Sequence, residues 1–112
     1  MSGGESPLVV LVTAPSDDVA KEIGRRLVDE RLAACVNVVP GVTSIFWWEG
    51  TQQEVSESLL LIKTRPARYA DLERRVLDLH PYSVPEVLAV PVQAGAAAYL
   101  RWVRDSVPVE GG

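Results

Sequence analysis

Histidine and cysteine are almost missing from this chain: His80 and Cys35 are the only ones in 112 residues. A single thiol cannot close an internal disulfide, so a reducing compartment is expected. One imidazole does not make a metal site, and it leaves His80 as the only base for a histidine-dependent triad. Lysine is scarce as well, present only as Lys21 and Lys63, and the arginines are scattered among fifteen acidic residues for a formal net charge of -4. Phosphate-backbone binding draws on clustered basic side chains, so nucleic acid is not an expected partner. No run approaches the roughly 20 apolar residues of a membrane helix. The start, Met1-Ser2-Gly3-Gly4-Glu5-Ser6-Pro7, has no basic region, and the apolar run after it is too short for a signal sequence. The expected location is therefore cytoplasmic, with no membrane partner. Gly-x-Ser-x-Gly, Walker, Gly-x-Gly-x-x-Gly and Cys-x-x-Cys patterns are all lacking. Glu54 and Glu57 stand three apart on an expected strand, on opposite faces, which suits them poorly to paired acid–base work. No enzyme is expected.

What is present is an ordinary globular composition, 47% hydrophobic and 23% charged. It suffices for one domain, placed at residues 8–107, with 1–7 and 108–112 as flexible termini. Leu8–Ala14 reads as a short buried strand. Pro15-Ser16-Asp17-Asp18 offers a helix start with acidic residues in the first turn. Val19, Ile23 and Leu27, flanked by Ala20 and Val28, form an apolar stripe at helical spacing up to about Arg31. A second strand from Ala34 to Val39 breaks at Pro40-Gly41 and resumes through Trp48. Glu49–Gln52 is a turn, and a third strand runs from about Glu54 to Thr64. Pro66 opens a second helix with Tyr69, Leu72, Val76 and Leu79 on one face, stopped at His80-Pro81. Glu86–Val92 is a fourth strand, and Tyr99–Val103 a short last helix. The order β-α-β-β-α-β predicts an α/β (α+β) ferredoxin-like sandwich with a long β-hairpin and an extra C-terminal helix.

The hairpin is too long for so small a core. On a strand, Ile45 and Trp47 point one way and Phe46 and Trp48 the other, so its tip is apolar on both faces. Two helices cover one face of a sheet, not both. An exposed aromatic arm is an aggregation hazard unless a partner covers it, which makes Phe46, Trp47 and Trp48 the expected oligomer interface.

The segments Thr13-Ala14-Pro15, Leu32-Ala33-Ala34-Cys35-Val36-Asn37, Thr43-Ser44-Ile45, Trp48-Glu49-Gly50, Ile62-Lys63-Thr64, His80-Pro81-Tyr82 and Pro85-Glu86-Val87, followed by Val90-Pro91-Val92 and Tyr99–Val103, occur in that order. Together they closely resemble the CutA divalent-cation tolerance family, from about Leu8 to Val107. The resemblance implies a ferredoxin-like fold assembled as a tight homotrimer, as in the trimeric PII signalling proteins, and a role in tolerance of divalent cations, notably copper. It implies Cu2+ or another divalent cation, weakly bound, as the only cofactor candidate. Val12 and Leu79 stand where some relatives carry a cysteine and a second histidine proposed as copper ligands. Of that set His80 alone remains as the metal candidate, its other reading being a charge at a helix C-terminus.

Among the remaining residues, Cys35 reads as a small hydrophobe in a buried strand, without basic neighbours to make it reactive. Lys63, Tyr82 and Glu86 are the candidate ligand-binding group, with Trp48 as an aromatic wall. Lys63 ends an apolar strand, where a charge is costly unless paired. These residues form either a polar pocket between subunits for a small anion or metabolite, or a structural ion pair locking the interface. Three functional readings follow: a homotrimeric cation-binding tolerance module, a PII-like sensor of a small metabolite or nucleotide, and a purely structural trimer core.

Overall fold

A computed structural model describes residues 5–109. The expected flexible ends, 1–7 and 108–112, therefore lie partly outside the described residues. Within them, the Pro7 carbonyl accepts the Val92 amide at 3.0 Å. Glu5 pairs with Arg65 at 2.5 Å.

The elements follow as β1 (Leu8–Ala14), α1 (Asp17–Asp29), β2 (Cys35–Trp48), β3 (Thr51–Thr64), a 3-10 turn (Pro66–Arg68), α2 (Tyr69–Leu79), β4 (Val87–Pro91) and α3 (Ala97–Ser106). The strands form one antiparallel sheet in the order β2-β3-β1-β4, the ferredoxin-like arrangement, with β3 beside β1 at the centre.

Alternation along the central strands separates two environments. Val10, Val12 and Ala14 of β1, with Ser58, Leu60, Ile62 and Thr64 of β3, are buried beneath α1 and α2. From α1 come Ala20, Ile23 and Leu27, and from α2 come Leu72 and Val76, all buried in the same core. Val28, assigned to the apolar stripe by spacing, is instead exposed. The Thr64 hydroxyl, wholly buried, donates to the Leu32 carbonyl at 2.7 Å. On the opposite face, Val39, Leu88 and Val90 stay exposed. The third helix does not cover them. It lies across the end of the sheet, where Arg65 donates to the Arg104 and Val107 carbonyls and Arg31 to that of Ser106.

Local chemistry sets the boundaries. Ser16 caps α1 by accepting the Val19 amide at 3.2 Å. At the other end, the Leu32 amide reaches Leu27 and the Arg31 amide reaches Val28, with Arg31 at φ 61°. That is a Schellman closure with arginine where glycine is usual. Proline at the start of the second helical segment produces a 3-10 turn before α2 proper. The last helix is longer than Tyr99–Val103 at both ends.

The hairpin departs from expectation in two ways. Its turn is only Glu49-Gly50, with φ 49° and 85°, so Trp48 faces Thr51 directly and β3 begins three residues early. And β2 is not broken at Pro40-Gly41; it carries a bulge there, since Val39 pairs with Leu59 but Val42 with Glu57. The partner strand tolerates this because β2 is an edge, where proline needs no ladder donor, and Gly41 adopts φ 72°. One extra residue reverses which side chains face which way. Beyond the bulge Ser44, Phe46 and Trp48 share the helix-free face with Glu57, while Ile45 and Trp47 take the other.

Candidate functional site

The helix-free face and the projecting hairpin together form a cleft of about 910 Å³, closed on its third side by the connection between α2 and β4. Its anchor is His80, which ends α2 and is only 7% exposed. The His80 Nε2 lies 2.7 Å from the Thr13 carbonyl of β1, and its Nδ1 accepts the Tyr82 amide at 3.2 Å. A carbonyl can only accept, so Nε2 carries the proton and the ring is the neutral tautomer. This pins the connection to the sheet and packs Tyr82 against the imidazole at a tilt of 49°, centroids 4.7 Å apart.

So placed, the Tyr82 hydroxyl donates to Glu57 Oε2 at 2.7 Å. Glu57 is 7% exposed, on the helix-free side of the central strand. Burial of the phenol, reinforced by the Glu57 hydrogen bond and charge, pushes Tyr82 up to about 12. An ionised phenolate beside a carboxylate is disfavoured on both counts. Trp48 and Phe46 wall the cleft from the hairpin side, and Glu86 stands exposed on its rim.

Tyr82, Glu86 and Trp48 are thus brought together, but Lys63 is not with them. It sits six residues along β3 from Glu57, roughly 20 Å at strand rise. There its ammonium donates to Asn37 and lies 4.0 Å from the Cys35 sulfur. The thiol therefore has the basic neighbour that its immediate sequence lacked, and it is half-buried rather than enclosed. The Tyr99 hydroxyl belongs to this second cluster: burial first, then Cys35, raises its pKa. The cause of the separation within one chain is distance along one strand.

His80, the metal candidate of the sequence, is held by the backbone of its own chain. Both ring nitrogens are engaged, one by a carbonyl and one by an amide, so no lone pair is turned toward a cation. Val12 is buried in the core and Leu79 packs against it. Among the described residues, no three His, Cys, Asp or Glu side chains converge as a ligand set. Nor, among them, is any helix long and apolar enough to cross a membrane. The residue that sequence reasoning passed over is Glu57, weighed only as a partner for Glu54. A carboxylate on the central strand of a small sheet, two residues before Leu59, was the available signal.

Comparison with known proteins agrees with this architecture. Residues 8–106 match the family described as "CutA1 divalent ion tolerance protein". A divalent-cation tolerance protein CutA from Thermus thermophilus is 52% identical over 98 residues, 88% of this chain and 95% of that protein. A CutA homolog from Xenopus laevis is 50% identical over 97 residues, of which this chain spans 64% of the relative's length. The solved divalent cation tolerance protein (Cut A1) of Thermus thermophilus superposes with a TM-score of 0.88 at 50% identity, covering 91% of this chain and 99% of that one. A shared fold and half-identical sequence over nearly the whole domain leave one conclusion: the chain belongs to the CutA1 divalent ion tolerance family.

Proposed function

We propose that the protein is a non-enzymatic, homotrimeric binding module serving divalent ion tolerance in the cytoplasm, and that its cleft selects cations. The observation that carries this is the charge of the cleft. Its ionisable carboxylates, Glu57 and Glu86, face a lining without a single lysine, arginine or histidine. The anion-binding reading needs Lys63, which within one chain is held at Asn37 near the other end of β3, so a neighbouring subunit would have to supply it.

Copper or another divalent ion is the cation proposed. Carboxylate, hydroxyl and amide oxygens offer hard donors, but within one chain they are too few and too spread to hold a metal tightly. Weak binding follows. In the proposed trimer a neighbouring subunit would cover the exposed hairpin tip of Phe46, Trp47 and Trp48 and narrow the cleft. Light scattering should give three times the 12.2 kDa chain mass. Calorimetric titration with Cu2+ and Zn2+ should show weak binding that Glu57→Gln diminishes and Lys63→Met does not. Absence of any heat from either ion in a folded trimer would remove the cation reading. Tight binding that persists in Glu57→Gln would place the site elsewhere.

A further inference from the structure

The side of the sheet opposite the helices is apolar and has no cover from its own chain. Val9 and Leu11 of β1, Leu59 and Leu61 of β3, and Leu88 and Val90 of β4 share it. Such a surface calls for a partner, and in the proposed trimer that partner is a second copy of this chain. Among the described strands only two charges stand on this face, Glu57 toward the hairpin and Lys63 at the other end of β3. Glu57 is satisfied within its own chain by the Tyr82 hydroxyl. Lys63 meets only neutral groups, Asn37 and the Cys35 sulfur at 4.0 Å. Among the described residues no carboxylate is in ion-pair contact with it. An ammonium covered by apolar surface is costly unless a carboxylate meets it. The covering subunit must therefore bring one.

Glu86 is the carboxylate that fits. It is exposed, lines the cleft beside Glu57 and has no partner of its own among the described residues. Within one chain it cannot serve. Lys63 pairs with Val9 and Val87 with Val12, on either side of β1, which leaves the two backbones roughly 16 Å apart, beyond the reach of both side chains together. A ring of identical subunits removes that obstacle, because the basic end of one protomer can meet the acidic end of the next at every interface.

We infer that Lys63 pairs with Glu86 of the partner subunit, joining the basic end of one sheet to the acidic cleft of the next. The inference rests on the trimer reading and names a contact within it. The first cation the cleft takes is then an ammonium of the protein itself, and a divalent ion has to displace it. So paired, Lys63 is not free to hold an anion.

Carbodiimide coupling tests this on the full-length protein, since it joins an amine to a carboxylate only where the two touch. Mass spectrometry should find a peptide linked through Lys63 and Glu86, and denaturing electrophoresis should place it in the dimer and trimer bands. Charge reversal gives a second reading. Lys63→Glu and Glu86→Lys should each move the trimer–monomer midpoint, read by light scattering, to a concentration roughly tenfold higher or more, and the double variant should recover most of that loss. Lys21→Glu, an exposed change on α1 of the same charge, should leave the midpoint in place. Lys63→Met removes the charge together with its desolvation, so it should remain trimeric and bind Zn2+ more tightly than wild type. No Lys63–Glu86 coupling in a protein that scatters as a trimer would overturn the inference and leave the trimer standing. A double variant that assembles no better than the single ones, or unchanged Zn2+ affinity in Lys63→Met, would also overturn it. A monomeric wild type would overturn both readings.

Discussion

Trp47→Ser is the most informative single change, because Trp47 is the most exposed large apolar residue described and points away from the cleft. It is 72% exposed at the tip of a hairpin that carries Ile45, 61% exposed, on the same face. With a buried aromatic covering about 200 Å², the tip leaves roughly 140 Å² of indole in water. Covering that area is worth about 3.5 kcal/mol at ~25 cal/mol per Å², an upper figure since contact is never complete. A closed trimer repeats the gain at three interfaces. The expected result is a shift of the trimer–monomer midpoint to at least about a hundredfold higher concentration, since each 1.4 kcal/mol is about a factor of ten. The fold of the protomer should survive, because Trp47 has no place in the core. Light scattering over a dilution series from micromolar to nanomolar reads the midpoint, and far-ultraviolet circular dichroism checks the fold. Trp47→Ser and wild type dissociating at the same concentration would refute the reasoning. So would a wild-type protein that is monomeric at micromolar concentration.

Further outcomes are expected at other positions. Glu49 holds φ 49° in the two-residue turn before Gly50, so Glu49→Asn, a residue suited to that conformation, should stabilise by roughly 0.5–1 kcal/mol in chemical denaturation. Thr64→Val leaves the buried Leu32 carbonyl without its 2.7 Å donor and should cost about 1–3 kcal/mol. Lys63→Met, next door on the open face, should cost less than about 1 kcal/mol; the two melts compared side by side check the assignment of faces. Tyr82, raised from 10 to about 12, favours its neutral form in the folded state. Its contribution to stability is therefore full below pH 10 and is lost as pH rises from 10 through about 12. The difference in phenolate absorbance between wild type and Tyr82→Phe should show this high titration, and Glu57→Gln should move it down.

The linear order of residues determined the element sequence and the family. Periodicities of two and of 3.6 are local properties, so β1, α1, α2 and the central strand were legible from side-chain spacing alone. The surplus of aromatics at the hairpin tip was legible for the same reason: no arrangement of two helices covers both faces of a strand. Tertiary structure decided which residues meet. A one-residue bulge at Pro40-Gly41 put Phe46 and Trp48 on the helix-free face with Glu57 and turned Trp47 away from it, and a bulge differs from a break only once the partner strand is in register. Within one chain, extended β3 sets Lys63 about 20 Å from Glu57, and the long-range bond from Tyr82 to Glu57 fixes the other end. His80 turned from candidate ligand to anchor because the Thr13 carbonyl, 67 residues earlier in the chain, meets its ring. Contacts between residues so distant in sequence are made by the sheet, and composition and spacing carry no record of them.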